Sequence, residues 1–227
     1  PQAVAGMNSD VPNFFISVSD PVSAGLISDM NKAPDKNATG TSNYIPINDI
    51  FEFADKLTPG IQTYGILYNT GEVNAVTTAQ NAMKYLDEKG IKYVEKTVTS
   101  AGEVQTAAES LAGSVDAIFV PNDSIIQSAM PIVSQVARDN KIPVYGSSAV
   151  MVNGGAFATK AISDKKIGAI TADKIIDDLV GKGIQAIKAE VVDADDIVVN
   201  SDAAARIGVT LPDDVKNEAT IVKDSNG

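Results

Sequence analysis

The chain has 227 residues, 44% hydrophobic and 21% charged, which is enough to bury one sizeable core or two smaller ones. Its 29 acidic residues outnumber its 18 Lys and Arg residues, and the net charge of -11 disfavours nucleic acids and anionic membrane surfaces as partners. The absence of His and Cys excludes Ser-His-Asp catalysis, thiol catalysis and the usual zinc sites.

The middle of the chain, residues 62–146, alternates short apolar runs with helical stretches. This alternation is typical of βαβ units around a parallel sheet. The first helix of this region is predicted to begin at Asn74 and to end at Gly90. A later helix is predicted to run from Asp123 or Ser124 to about residue 140. Strands are predicted at residues 62–68, 91–98, 116–120 and 142–145, with a further helix at residues 103–112.

The two flanks of this region each carry only part of a second lobe. A strand is predicted at residues 14–18 and another at 156–159, followed by an amphipathic helix that starts after Ser163 and ends at Gly181. We therefore expect the flanks to fold together. Crossings between the lobes are predicted at residues 43–47, after Gly146 and at 191–200. The predicted domains are 1–45 for the first part of lobe 1, 46–147 for lobe 2, and 148–227 for the return segment of lobe 1, the final crossing and the tail.

The loops that follow the predicted parallel strands are the expected ligand site, because ligands of open α/β sheets bind beyond the carboxyl ends of the strands. One such loop runs from Asn69 to Asn74 and leads into a helix, whose first N–H groups suit a substrate carboxylate. The alternative role for Asn74 is an ordinary N-cap. Asp123, between Asn122 and Ser124, offers a carboxylate to a substrate ammonium group. Its alternative role is to cap the helix, and its two oxygens allow both roles at once.

Polar residues near the predicted crossings complete the candidate set. Ser19 and Asp20 are expected to face the same cleft from the other lobe, with an Asx turn as the alternative for Asp20. Tyr44, at the first crossing, is expected to lie against a flat side chain of a ligand. Ser147 and Ser148 follow the fourth strand, where their hydroxyls either contact a ligand or satisfy the backbone. No metal or cofactor site is predicted.

Eight short sequence motifs, which occur in order along nearly the whole chain, resemble those of a known protein family. The motifs lie at residues 17–22, 24–26, 39–43, 66–69, 107–113 with 115–117, 119–123, 142–144 and 154–156. They resemble the ABC-transporter substrate-binding lipoproteins of the type I periplasmic-binding fold, a family that includes tryptophan and tyrosine binders. The resemblance implies an α/β fold of two lobes, each a doubly wound parallel sheet. It also implies an extracytoplasmic binding protein without enzyme activity or cofactor, which holds its solute between the lobes and docks on a membrane permease.

The resemblance also implies a longer first lobe. The family's first lobe opens with strand-helix-strand-helix-strand before a segment like residues 11–21. At about 30 residues per βαβ unit, roughly 60 to 80 residues of this opening have no counterpart. We therefore expect lobe 1 to be incomplete at its N terminus, and the natural protein to be longer there or to receive the lacking strands from a second copy or chain.

Three functions are compared on this basis. The favoured one is a solute-binding protein of an ABC importer whose ligand is a small polar solute, an aromatic amino acid if the resemblance holds. The carboxylate of this amino acid would lie at the start of the helix at Asn74, and its ammonium group at Asp123 or Asp20. A transcription regulator's effector-sensing domain shares the fold, but neither residues 1–10 nor the acidic tail supplies a basic helix-turn-helix. A hydrolase using Asp20 and Asp123 would need carboxylates whose pKa values are pushed apart.

Overall fold

The computed structural model describes residue 3 and residues 10–224, and its contacts divide the chain into two compact units. Unit 1 is drawn from Pro1–Ile45 and Ile162–Asp195, and unit 2 from Pro46–Ala161 and Asp196–Gly227. Across the described part of the chain, no helix combines the length and apolar character needed to cross a bilayer.

The strands and helices of the described residues follow in chain order. The strands are β1 (Asn13–Phe15), β2 (Ala38–Ser42), β3 (Thr63–Asn69), β4 (Lys92–Val98), β5 (Ala117–Val120), β6 (Val144–Gly146), β7 (Ala158–Ala161), β8 (Glu190–Val191), β9 (Asp196–Asn200) and β10 (Thr220–Val222). The helices are α1 (Ile47–Leu57), α2 (Val73–Lys89), α3 (Val104–Ala112), α4 (Ser124–Ser128), α5 (Met130–Asp139), α6 (Ala149–Asn153), α7 (Asp164–Leu179), α8 (Ser201–Ile207) and α9 (Asp213–Glu218).

Unit 2 is built on a seven-stranded sheet with the order β10-β9-β7-β6-β5-β3-β4. Its neighbouring strands are parallel except for β7 and β9, which are antiparallel. The chain passes from β3 to β4 on one side and then returns to β5 on the other side of β3. The topological switch point, where ligands of such sheets bind, therefore lies between the carboxyl ends of β3 and β5.

The residues of the central strand β5 show that helices cover this sheet on both faces. All four of its residues are buried, as an apolar run without alternation predicts. Ile118 packs with Leu111 of α3 in the main core cluster. On the other face the ring of Phe119 lies 5.3 Å from that of Phe51 in α1, measured between centroids. Helices thus lie on both sides of the sheet, which leaves its carboxyl edge for the loops.

The predicted strand at residues 156–159 belongs to unit 2, so its assignment to lobe 1 is wrong. Ala158 in β7 pairs with Tyr145 of β6 on one side and with Val199 of β9 on the other. The units consequently divide after Ala161, whereas lobe 2 was expected to end at residue 147. Pairing between strands about 40 residues apart leaves no local signal in the sequence, which is why the pattern alone did not place this strand.

The long helix predicted from Asp123 to about residue 140 is two helices, α4 and α5, that meet at Ala129. Pro131 is the physical reason, because it lacks a backbone N–H and its ring crowds the carbonyl four residues earlier. The break turns the chain after a helix of only five residues. Asp123 itself lies at the N-cap position of the first of these two helices.

Unit 1 contains a three-stranded parallel sheet with the order β1-β2-β8. Phe15 and Leu26 contribute to its small buried core. The hydroxyls of Thr41 and Thr171 are 2.7 Å apart, which ties β2 to α7. The strand predicted at residues 14–18 ends earlier, because Ser17 has a φ of 56° and leaves the extended conformation. The expected absence of the opening strands of lobe 1 stays a prediction.

Candidate functional site

Asp123 joins two loops at the switch point of the unit 2 sheet. One carboxylate oxygen, Oδ1, accepts the N–H of Ile126 at 2.9 Å and so caps α4. The other, Oδ2, accepts the N–H of Asn69 at 2.6 Å. Since the side chain is only 1% exposed, these bonds hold the end of β3 against the start of α4.

The ligand role predicted for Asp123 stays a prediction, and these bonds add a structural role to it. We expected one oxygen to cap the helix and the other to receive a substrate ammonium group. The capping bond is present, but the second oxygen is bonded to the backbone of Asn69. A carboxylate with both oxygens bonded within the chain and almost no exposed surface positions its neighbours.

Asn74 does not cap its helix, contrary to the alternative considered for it. The cap position is Glu72, which makes no side-chain capping bond, and α2 begins at Val73. Asn74 lies in the first turn and donates its side-chain N–H to the carbonyl of Asn122 at 2.8 Å. This bond connects the loop after β3 to the loop after β5. Both predicted residues, Asn74 and Asn122, are therefore brought together at the switch point.

Glu72 is a site residue that the sequence analysis missed. Its carboxylate accepts the backbone N–H of Ser124 at 2.9 Å and the Ser124 hydroxyl at 3.3 Å. A negative charge beside the first N–H groups of α4 is favourable because the helix dipole is positive there. The two residues are 52 positions apart, so only the tertiary fold reveals the contact.

Ser147 and Ser148 lie beyond the carboxyl end of β6, the next strand in the sheet. The Ser147 hydroxyl donates to the carbonyl of Val120 at 3.0 Å, which is the backbone-satisfying role considered as an alternative. Ser148 caps α6 by accepting the N–H of Met151, and its hydroxyl donates to Gln127 at 3.0 Å. Both side chains are half-buried, so this edge of the sheet is lined by ordered polar groups.

The predicted residues of unit 1 cluster after the ends of β1 and β2. The Ser19 hydroxyl donates to the side-chain oxygen of Asn43 at 3.0 Å. Asp20 accepts the N–H of Ser23, three residues on, at 2.9 Å, whereas the Asx turn considered as its alternative role would use the N–H two residues on. Tyr44 is 44% exposed. These contacts hold the loops of unit 1 in place, but they do not identify a ligand.

The side chains near the switch point are mostly polar. Next to Asn69, burial and a hydrogen bond to Glu95 raise the pKa of Tyr68 to about 12, so its phenol is neutral at physiological pH. Within residues 10–224, no group of three or more Asp and Glu side chains is arranged to hold a metal ion. The edge is suited to hydrogen bonding with a small polar molecule.

Comparison with known proteins identifies the family. The model of the ABC transporter substrate binding protein family matches residues 1–223. The chain belongs to this family. Among curated relatives of this substrate binding protein is the tyrosine-binding protein of Clostridioides difficile (strain R20291), with 37% identity over 201 residues. That alignment covers 88% of this chain and 58% of the relative, so the chain spans somewhat more than half of that protein's length.

Solved structures of related proteins confirm the predicted fold class. The conserved domain protein from Vibrio cholerae O1 biovar El Tor superposes with a TM-score of 0.87 and 32% identity, over 98% of this chain and 75% of that one. The ABC domain from Streptococcus pneumoniae in complex with L-Trp gives 0.86 and 31%, over 97% and 75% of the two chains. The prediction of an α/β fold with parallel sheets, of the type I periplasmic-binding kind, is therefore confirmed.

Proposed function

We propose that this protein binds an aromatic amino acid at the carboxyl edge of the unit 2 sheet and delivers it to an ABC importer. The observation that carries the proposal is the switch point between β3 and β5, where Asp123 and Glu72 hold the surrounding loops in place. Support for the ligand class comes from two relatives, one named for tyrosine binding and one in complex with L-Trp.

The polar groups of the solute would be bound by the loop side chains around this point. We assign these contacts to Asn69, Asn74, Asn122, Ser124, Ser147 and Ser148. Ser19, Asp20 and Tyr44 of unit 1 stay predicted ligand contacts. Asp123 acts as a positioning residue, because both of its oxygens are bonded to backbone N–H groups.

The aromatic ring of the solute requires apolar contacts, and two exposed valines supply them. Val73 is 65% exposed at the start of α2, and Val150 is 51% exposed at the start of α6. The two helices follow β3 and β6, the strands on either side of β5 in the sheet. An aromatic ring placed against either valine would cover it and gain hydrophobic free energy.

We infer that the protein acts by binding and not by catalysis. The hydrolase alternative requires a carboxylate that exchanges a proton with the substrate. Asp123 is buried and bonded to two backbone N–H groups, and Asp20 accepts the N–H of Ser23. An extracytoplasmic location and an ABC permease as partner are proposed on the basis of the family.

The fluorescence of L-Trp tests the proposal directly, because the chain contains no tryptophan. On addition of the protein, the anisotropy of L-Trp emission is expected to rise and saturate with micromolar affinity. L-Tyr should displace it, whereas glucose and glycine should not. The Val73→Ser and Val150→Ser variants should each weaken binding several-fold, with exposed Val11→Ser as the matched control. If the anisotropy of L-Trp does not rise, and if L-Tyr also shows no binding in a direct titration, the proposal is refuted.

A further inference from the structure

Asp224, just after β10, bonds to two buried side chains of unit 2. Its Oδ1 atom accepts an N–H of Arg138 at 2.8 Å and an N–H of Asn200 at 2.9 Å, and its Oδ2 atom accepts the other terminal nitrogen of Arg138. Its backbone is held as well, because the Asp224 N–H donates to the carboxylate of Asp202 at 2.9 Å. Arg138, Asn200 and Asp224 together are called the C-terminal clasp below.

The C-terminal clasp holds the last residues of α6 and the loop that follows. Arg138 donates to the carbonyl of Gly155 at 2.7 Å, and Asn200 donates to the carbonyl of Val152 at 3.3 Å. Val152 lies in α6, and Gly155 follows the helix by two residues. Asp224 bonds to both donors, so one carboxylate orients the two side chains that hold this end of α6.

The two donors depend on Asp224 because each has few other partners. The side chain of Arg138 is 8% exposed, and its Nε atom makes no hydrogen bond within residues 10–224. The fully buried Asn200 uses its Oδ1 atom for two N–H groups in the first turn of α8, which leaves its amide N–H groups for Val152 and Asp224. Without the carboxylate, a buried guanidinium and a buried N–H would lose their partner, so both side chains would have to rearrange.

The other end of α6 belongs to the proposed binding edge. Ser148 caps this helix, and Val150 lies in its first turn. Both residues are proposed contacts of the solute. Because α6 has only five residues, its two ends are roughly 8 Å apart, and a displacement at its last residues is carried to Ser148 and Val150.

We propose that the C-terminal clasp positions α6 for solute binding, and that Asp224 is a positioning residue of the binding edge. The inference rests on the proposed function, since it concerns the same site. Asp224 acts through Arg138 and Asn200 and need not touch the solute. If Asp224 served stability alone, its replacement would lower the stability of the protein and leave the affinity of the folded form unchanged.

Amide hydrogen exchange of the ligand-free protein tests the C-terminal clasp without any solute. The N–H groups of Gly154 and Gly155 donate to carbonyls of α6. In Asp224→Asn they should exchange roughly tenfold faster than in the parent protein, with a smaller change in β3. Val115→Ala is the control, because it truncates a buried side chain before β5 and leaves the bonds of the clasp in place. It should accelerate exchange in β3 and after α6 to the same extent.

The anisotropy of L-Trp, measured with each variant folded, supplies the second readout. Asp224→Asn should weaken binding roughly fivefold, whereas Val115→Ala should bind like the parent protein. Asp224→Glu retains the carboxylate and should restore part of the affinity. Unchanged exchange after α6 in Asp224→Asn, or faster exchange with unchanged affinity, would overturn the proposal. If the parent protein does not bind L-Trp, the proposed function fails, and the exchange rates alone decide whether the clasp holds α6.

Discussion

The carboxylate of Asp123 accepts the backbone N–H of Asn69 at 2.6 Å and so joins the loop after β5 to the end of β3. These two residues are 54 positions apart in the chain and meet at the topological switch point of the unit 2 sheet. Because the bond is charge-assisted and buried, it is stronger than an ordinary hydrogen bond. The shape of the proposed binding edge therefore depends on a contact that need not touch the solute.

Replacing Asp123 with Asn should destabilise the protein by about 2 kcal/mol, because an amide has one acceptor oxygen and leaves a buried N–H unpaired. The affinity for L-Trp should fall as well, as the loops lose their common anchor. Urea unfolding and L-Trp anisotropy measure the two effects. Asp213→Asn is the control, since that side chain is 93% exposed and its substitution should change stability by less than about 0.5 kcal/mol. Unchanged stability in Asp123→Asn would contradict the assigned role.

Replacing Glu72 with Ala should weaken L-Trp binding several-fold while lowering stability by only about 1 kcal/mol. The physical reason is that Ser124 loses the partner of its N–H and hydroxyl, which lets the start of α4 move. Glu72→Gln retains one acceptor and should restore part of the affinity. Glu109→Ala, which removes only an exposed contact with Gln105, serves as control. Equal affinities for all three variants would argue against a positioning role of Glu72.

Replacing Gly40 with Ala should disrupt unit 1. A Cβ at this position would lie 1.8 Å from the carbonyl oxygen of Phe15, inside the β1–β2 pair. Backbone atoms of a paired strand cannot yield without loss of the pairing, so we expect a cost of about 3 kcal/mol or more. Gly102→Ala meets no atom within 4 Å and should be nearly neutral. Thermal unfolding of both variants gives the comparison, and similar melting temperatures would show that the β1–β2 contact is not as close as described.

The ion pair between Arg138 and Asp224 should make stability depend on pH. Arg138 is 8% exposed and donates to Asp224 at 2.8 Å, and its hydrogen bond lowers the pKa of the Asp224 carboxyl. A carboxyl whose pKa is lower in the folded than in the unfolded state stabilises the folded protein at pH values above its unfolded-state pKa. This stabilisation is lost as the pH falls through the folded-state pKa.

Asp224→Asn should therefore cost about 1–2 kcal/mol at pH 7, where the carboxylate is charged, and clearly less near pH 3. Urea unfolding of the parent and variant proteins at both pH values provides the measurement. An equal difference at pH 7 and pH 3 would show that the pair does not couple to protonation of Asp224.

The parts of the fold with strong local periodicity could be predicted from the sequence. The apolar run of β5 follows from the pattern, as does the stop of α2 at Gly90, whose φ is 68°. So do the positions of Asn69 at the end of a parallel strand and of Asn122 and Asp123 just after another. These features are fixed by residues close together in the chain. They were sufficient to place the candidate site at the carboxyl edge of the middle sheet.

The remaining features depend on contacts between distant residues. Pairing of β7 with β9 decides the unit to which β7 belongs, and neither strand reveals its neighbour. The acceptor for the Ser124 N–H is Glu72, which no local pattern around Ser124 indicates. No strand was predicted in the polar tail, yet Val215 is fully buried and Thr220–Val222 pairs with β9. In each case a long-range contact overrides a weak local pattern.

Titration of the ¹⁵N-labelled protein with L-Trp, followed by amide NMR spectra, tests the central claim most directly. The account predicts that chemical-shift changes in unit 2 concentrate after the ends of β3, β5 and β6, at residues 69–76, 120–126 and 146–151. Saturable binding whose shift changes in unit 2 avoid these three loops, or the absence of any saturable change, would contradict it.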